Sequence, residues 1–442
     1  MKKLVKVYTG NLQHGMYISQ LDRPWLETPF LLQGFYVKNS EDIDLISDIC
    51  DYVYVDADGS VNARNIKGNM STVSSAVGFN SNTTKFTVSI ATNGNNQSSA
   101  RIKGGNSKHG ETNPDRLISS KKPRVYSDTT SWRSELSAAE QAILSLHDGL
   151  RELLSRNLND GPLELRNIRE AVEPMVDSVI RCPGACIWLV SKKQQDKYIY
   201  QHSLATSIWA VALGRQLRLP KNDLRALAIG GLLFDIGKLK LGENLPKENR
   251  PLTDEEFRIM KKHVEVGVKL LEEGGMKNQN VIDMVAHHHE RHDGTGYPQG
   301  LAGNKIPLFA RIAAIVDCYD AITSDRIYSS AISPPHAIKQ LYEWKDTFFQ
   351  AEIVDQFIQA IGIFPAGTLV ELSSGEVAMV VAASPSRRLR PDLMLLLDSN
   401  KQRLGDTEFL DLKEVTQTED GTPLFIVKSL EPDAYGISST RQ

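Results

Sequence analysis

Between His287 and Asp293 the chain places four imidazoles and two carboxylates in seven residues, His-His-His-Glu-Arg-His-Asp, and then runs on through Gly294-Thr295-Gly296-Tyr297-Pro298. Neutral imidazole and carboxylate are the side chains that hold Fe, Mn or Zn. Packing alone does not explain such density. A buried imidazole needs polar partners, and a solvated one needs no neighbours of its own kind. Elsewhere single polar residues interrupt apolar runs: His202 within Tyr200-Gln201-His202-Ser203-Leu204-Ala205, Asp235 after Leu232-Leu233-Phe234, and Asp317 after Ala313-Ala314-Ile315-Val316. A carboxylate in such a run is costly unless it is paired or bound to metal. Lys238 stands three residues after Asp235, the spacing of an ion pair on one helix face. His263, following Lys261-Lys262, reads in isolation as a surface histidine. Together His202, Asp235, His263, His288, His289 and Asp317 can converge from successive helices on one bundle core, which is how helical bundles build carboxylate-histidine metal sites.

These residues need helices to carry them, and the apolar spacing supplies them. Leu136, Ala139, Ile143, Leu146, Leu150 and Leu154 recur at helical intervals over residues 134–157. Further helices are expected over residues 165–180, 198–217, 224–238, 281–289, 306–324, 336–344 and 351–361. Thr253-Asp254-Glu255-Glu256 has the form of a capping box opening a helix that reaches past His263. Residues 1–60 read as a small α/β domain, with strands near residues 5–8, 30–37 and 52–55 around a helix over 40–49. Residues 61–131 are rich in Ser, Asn and Gly and poor in large apolar groups, as in Asn93-Gly94-Asn95-Asn96-Gln97-Ser98-Ser99, so they read as a disordered linker. A connecting helix spans 132–164, the helical metal-binding domain 165–362, and a small β appendage 363–442, with strands at 368–372, 377–382 and 393–397 and a turn at Ser373-Ser374-Gly375. The fold class is therefore mostly α, with a small N-terminal α/β unit and a small C-terminal β unit. Both small units read as stabilising packing.

Composition bounds the partners. The 442 residues carry a net charge of -3, which gives no bulk attraction to DNA, RNA or an anionic membrane. An anionic ligand must therefore be held by a local cluster. The four cysteines, Cys50, Cys182, Cys186 and Cys318, form no zinc framework and read as free thiols of a reducing compartment. The first residues lack the apolar core of a signal peptide, and no run approaches the ~20 apolar residues of a membrane span. A cytoplasmic protein is expected.

The order of motifs over residues 165–362 resembles the HD-GYP domain proteins, the helical phosphodiesterase class of the HD superfamily that hydrolyses bacterial cyclic dinucleotides. The most specific part is His288-His289-Glu290 followed by Asp293-Gly294-Thr295-Gly296-Tyr297-Pro298. Asp235-Ile236-Gly237-Lys238, the capping box before His263, Asp317-Cys318-Tyr319-Asp320-Ala321 and Ser324-Asp325-Arg326 support it. Pro24-Trp25-Leu26-Glu27-Thr28-Pro29-Phe30 resembles a small domain of unknown function often found ahead of HD-GYP domains. The resemblance implies an HD-superfamily bundle whose metal ligands fall on His202, Asp235, His263, His288, His289 and Asp317. It makes Asp235 the bridge between two divalent ions. Lys238 would act on the phosphate or leaving oxygen, Arg326 would hold a substrate phosphate, and Gly296, Tyr297 and Pro298 would shape the nucleotide pocket. The implied cofactor is one or two divalent ions, Fe, Mn or Ni. The implied substrate is cyclic di-GMP or 3′,3′-cyclic GMP-AMP, opened to a linear 5′-phosphorylated dinucleotide in second-messenger signalling. A signalling protein would dock at the Gly-Tyr-Pro loop, and the sequence allows a homodimer.

Three positions depart from the family pattern. Phe234 stands where the family has the histidine of its His-Asp pair, so one ligand is missing. Tyr198 stands where some members place an additional Glu ligand, which argues against a third ion. Ser329 replaces a basic residue three positions after Arg326. The other reading is accordingly a degenerate domain that binds a cyclic dinucleotide or a signalling partner without turnover. A third reading, a mononucleotide hydrolase of the HD superfamily, keeps the metals and changes the substrate, and the Gly-Tyr-Pro turn argues against it as sole activity.

Overall fold

The computed structural model describes residues 4–22, 35–37, 40–56, 123–157, 163–192, 198–241, 253–324, 331–383, 388–432 and 434–437. The linker expected over residues 61–131 falls almost wholly outside these, as do Arg326, Ser329 and the Pro24–Phe30 motif.

The N-terminal unit is an antiparallel sheet in the order β1-β4-β2-β3, formed by β1 (Leu4–Tyr8), β2 (Tyr17–Leu21), β3 (Phe35–Tyr36) and β4 (Tyr52–Asp56), with α1 (Ser40–Ile49) between β3 and β4. β2 escaped the sequence reading because its five residues have no long β-branched or aromatic run. Ile18, Val37, Ile46, Val53 and Val55 form this unit's own small core.

The helical domain begins with α2 (Trp132–Asn157) and α3 (Leu165–Arg181), which pack side by side. A buried ion pair joins them. Glu135 is 3% exposed and takes bonds from Arg181 Nη2 at 2.6 Å and Ser178 Oγ at 2.8 Å. The Arg181 guanidinium, more than burial, decides that the Glu135 carboxyl sits below its ordinary range. The short α4 (Pro183–Ser191) follows directly, opened by Pro183 at its first turn. Sequence periodicity missed α4 because it is apolar on every face, the mark of a helix buried all round. Cys182 and Cys186 lie here as free, buried thiols, pushed by burial up to about 11 and about 12.

α5 (Tyr198–Gln216) and α6 (Lys221–Leu233) pack along an extensive shared face. A Cβ on Gly231 would lie 2.8 Å from Ser207 Cα, so only glycine permits this approach. Thr206 Oγ1 donates to the Gly231 carbonyl at 2.9 Å, and Ser207 Oγ to that of Ala228 at 2.8 Å. The expected helix over 224–238 is in fact broken: α6 ends at Leu233, Phe234 to Gly237 form a turn, and α7 (Lys238–Leu241) restarts. Asp235 thus sits on a turn rather than inside a helix. The break follows from packing, since a Cβ on Gly237 would lie 2.0 Å from the His263 carbonyl. The capping box at Thr253 is present, with Thr253 N donating to Glu256 at 2.7 Å. The helix it opens, α8 (Asp254–Lys261), stops before His263, and a separate α9 (His263–Glu273) begins there. α10 (Gln279–His287), α11 (Leu308–Thr323), α12 (Pro334–Glu343) and α13 (Ala351–Ile361) complete the domain. Trp209 of α5, Tyr319 of α11 and Phe357 of α13 meet edge to face, with Tyr319 5.2 Å from each of the others.

The C-terminal unit is a five-stranded antiparallel sheet in the order β8-β7-β6-β5-β9, from β5 (Leu369–Leu372), β6 (Val377–Ala382), β7 (Asp392–Leu397), β8 (Arg403–Asp411) and β9 (Ile426–Ser429). β6 is buried on both faces. Val377, Met379 and Val381 join the helical core, while Ala378 and Val380 face a separate core with Val370, Leu393 and Ile426. No helix among the described residues is long and apolar enough to cross a membrane.

Glu135→Gln is expected to cost about 1–3 kcal/mol in urea unfolding near neutral pH, because it removes the charge that Arg181 pairs with. A carboxyl held low in the fold contributes stability that is present above its unfolded pKa, about 4.3, and is lost as pH falls further. The gap between wild type and Glu135→Gln should therefore shrink below about pH 4, and a constant gap would remove the ionic account.

Candidate metal centre

Two donor sets share one carboxylate. Asp235, His263, His288 and His289 offer ligand atoms all within 4.8 Å of one another, and so do His202, Asp235 and Asp317. Asp235 arrives on the turn after α6, His263 at the start of α9, His288 and His289 just past α10, His202 on α5 and Asp317 on α11. Each lies at or near a helix end except His202 and Asp317, whose helices pack against each other.

The orientation of three of the four imidazoles, those of His263, His288 and His202, is set by the other nitrogen. His263 Nδ1 lies 2.6 Å from the Met260 carbonyl, and His288 Nδ1 lies 3.0 Å from that of Val285. A carbonyl only accepts, so both Nδ1 atoms carry the proton. The two Nε2 atoms then face each other at 3.3 Å, and Asp235 Oδ1 lies 3.4 Å from one and 3.7 Å from the other. That oxygen is buried and has no hydrogen-bond partner. Lone pairs converging on a buried, unpartnered carboxylate oxygen need a cation among them. The donor set therefore fits a divalent ion.

The second set is arranged by Asp320. Its carboxylate accepts from His202 Nδ1 at 2.7 Å, which aims His202 Nε2 at Asp235 Oδ2 (3.3 Å) and Asp317 Oδ1 (3.4 Å). Burial works against a charged His202, but the hydrogen bonds of Asp235, Asp317 and Asp320 outweigh it and hold the imidazole well above its ordinary pKa in the metal-free protein. At His263 burial prevails and pushes the imidazole down to about 4, and it also lowers His289, with the neighbouring His288 adding to both. Both are neutral at physiological pH, the form able to bind a cation. Burial would raise Asp235 and Asp317, yet Lys238 and His202 respectively hold them well below the usual carboxylate range. Lys238 Nζ lies 2.5 Å from Asp235 Oδ2, with a third of its side chain exposed.

Phe234 is 1% exposed, with its ring centroid 5.7 Å from that of His202 and 4.8 Å from that of His288. It thus lies between the two donor sets without a ligand atom. The side chain of Tyr198 is outside the described residues.

The Gly-Tyr-Pro turn packs directly on the cluster. Tyr297 stacks on His289 at 4.6 Å and 26°, and its peptide bond to Pro298 is cis. A Cβ on Gly296 would lie 2.3 Å from Arg291 N and 2.5 Å from Glu290 Cα, so the turn closes only over glycine. Glu290 holds the far side: 1% exposed, it accepts from Gln299 N at 2.7 Å and Leu301 N at 3.0 Å. Neither Glu290 nor Asp320 was given a role from sequence. Asp320 carried a signal, an acid one helical turn after Asp317. Glu290 carried none, because its partners lie across a loop. His287 and His292 join neither donor set. A separate cavity of about 420 Å³, between the start of α2, α4, the end of α13 and the C-terminal sheet, is lined by none of these residues.

Residues 186–353 match the family described as the HD domain. The chain carries an HD domain. Gly296-Tyr297-Pro298 lies within that match. Residues 4–166 match a domain of unknown function, DUF3391, and residues 369–437 a KOW domain associated with HD domains. The chain is 36% identical over 257 residues to a cyclic di-GMP phosphodiesterase of Pseudomonas aeruginosa, covering 58% of this chain and 62% of that protein. It is 28% identical over 159 residues to a 3′,3′-cGAMP-specific phosphodiesterase of Vibrio cholerae, covering 36% of this chain and 30% of that one. The chain thus spans less than two thirds of the length of these curated relatives. A solved HD-GYP protein of Bdellovibrio bacteriovorus, 15% identical, covers 80% of this chain and 98% of its own at a TM-score of 0.43. The HD domain match implies divalent metal binding, and the His/Asp cluster is a group of side chains that could hold such an ion.

Asp320→Asn keeps the size of the side chain and weakens its pull on the His202 proton. Divalent metal affinity, followed by titration into metal-free protein, is expected to fall 10–100-fold, as for other carboxylates that orient a ligating histidine. Unchanged affinity would mean that His202 is held by packing alone.

Proposed function

We propose that the protein is a metal-dependent phosphodiesterase that opens the 3′-5′ phosphodiester of a bacterial cyclic dinucleotide, cyclic di-GMP or 3′,3′-cyclic GMP-AMP, to a linear 5′-phosphorylated dinucleotide. The observation that carries this is the sharing of Asp235 between two donor sets, the arrangement that holds two ions side by side. Divalent ions bound there, Fe, Mn or Ni by the mixed histidine-carboxylate donors, would supply an activated water and neutralise charge on the phosphoryl group. His202, Asp317, His263, His288 and His289 would hold them, with Asp235 between.

The chain's own residues do the rest. Lys238, paired to Asp235 and a third exposed, can turn its ammonium toward a phosphate oxygen or the departing ribose oxygen, where negative charge grows. Tyr297, stacked on His289, walls one side of the site and keeps water from it, and Gly296 and Pro298 set that wall in place. Arg326 enters on the family pattern alone, as a clamp on the second phosphate. Docking of a signalling protein at the Tyr297-Pro298 turn, pairing of two copies, and a cytoplasmic location rest on that pattern and on composition.

Phe234 favours a second reading. A ring between the donor sets leaves His202, Asp235 and Asp317 as a three-residue set, too sparse for a tightly held second ion. The domain would then bind a cyclic dinucleotide and leave it intact.

Purified protein loaded separately with Mn²⁺, Fe²⁺ and Ni²⁺ should convert cyclic di-GMP or 3′,3′-cyclic GMP-AMP to linear dinucleotide. Asp235→Ala should abolish turnover, and Lys238→Met should lower kcat by ~10² or more. Substrate bound but intact under every metal would establish the receptor reading instead. Phe234→His is expected to raise the metal content per chain and kcat together, whereas a loss of either would mean that the centre is built around the ring.

A further inference from the structure

α8 is unusual for what it does not bury. None of its residues lies in the core, yet it is well specified: Thr253 and Glu256 close a reciprocal capping box at its start, and its end runs through Lys262 straight into the ligand His263. Its one large aromatic, Phe257, is 43% exposed. That ring does not face away from the metal centre. It meets Tyr297 edge to face at 6.1 Å and 83°, and Tyr297 in turn stacks on His289. Lys261, one turn on, holds its ammonium 4.6 Å from the Phe257 ring centroid and 4.9 Å from that of Tyr297. Among the described residues Lys261 makes no ion pair. The result is a stair of rings rising from a metal ligand to the surface, with a cation lodged beside its upper two steps.

We propose that Phe257 and Lys261 of α8, with Tyr297, form the ledge that receives one base and an adjoining phosphate of a cyclic dinucleotide bound at the His/Asp cluster; the proposal rests on the functional reading above. An open aromatic face beside a cation is the pairing with which proteins take single-stranded nucleotides, the ring stacking on any base and the ammonium meeting the backbone. Packing does not require it, since a ring needed for the core would be covered. The placement also suits the chemistry. The base would sit beyond Tyr297 while the phosphodiester lies over the donor sets, so affinity gained at the ledge holds the reacting bond in place. Because stacking recognises any base, the ledge adds affinity without choosing between guanine and adenine.

The test uses the full chain loaded with metal, with cyclic di-GMP and 3′,3′-cyclic GMP-AMP as probes, Kd by calorimetry, and KM and kcat where turnover occurs. Phe257→Ala is expected to raise Kd and KM roughly tenfold with kcat nearly unchanged, while metal content and melting temperature stay at wild-type values. Phe257→Trp should keep the affinity, and the indole it introduces should be quenched on binding. Lys261→Ala should flatten the dependence of Kd on salt. Unchanged Kd and KM in Phe257→Ala, or a loss of affinity that follows a loss of metal, would overturn the ledge while leaving the functional reading intact. Failure of the wild-type protein to bind either dinucleotide would overturn both.

Discussion

One buried carboxylate governs the helical domain. Asp235 turns one oxygen to His263 and His288 and the other to His202 and Lys238. A charge in that position is tolerable only if every neighbour is placed for it. The neighbours come from α5, α7, α9 and the segment after α10, so the demand of one side chain becomes a condition on four elements. The glycines answer to the same condition. Gly231 lets α5 and α6 touch, and Gly237 lets the turn carrying Asp235 lie on the backbone of His263. A methyl group at either would move the carboxylate away from its imidazoles.

The polarity of the imidazoles follows a single device. In His263, His288 and His202 one nitrogen faces inward because the opposite nitrogen is occupied, by the carbonyls of Met260 and Val285 or by the carboxylate of Asp320. Backbone carbonyls suit His263 and His288, which stand at helix ends where carbonyls and turns are close by. His202 lies within a helix whose own carbonyls are engaged, so a side chain from another helix must do the work. The two sides of the centre therefore differ in kind: one is wired into local backbone, the other into a carboxylate network reaching across to α11. Phe234 adds to the asymmetry by occupying the space between them with carbon.

The outer units contribute by covering. β6 is apolar on both faces because it is the boundary between two cores, one shared with the helices and one belonging to the sheet. Leu389 and Phe425 extend the second core toward the N-terminal unit. None of the donors gathered at the centre comes from either small unit.

Much of this was legible before any coordinates. Helical periodicity located α2, α3, α5, α6 and α10 to α13, since a helix that buries one stripe must repeat its apolar residues at that spacing, and the capping box at Thr253 marked the start of α8. His202, Asp235 and Asp317 could be read as polar groups set in apolar runs, which have few other ways to be stable there, and His288 and His289 from the dense histidine stretch, whereas His263 taken alone read as a surface residue. What periodicity could not reveal was an element without a face, α4, apolar all round. Nor could it find the breaks after Leu233 and before His263, which arise because two backbones must pass within contact distance. The roles of Asp320 and Glu290, and the rise of rings from His289 through Tyr297 to Phe257, were likewise decided only by the fold. Residue type states what chemistry a side chain can do; which atom faces which is set by how separate helices meet, and local sequence carries no record of that.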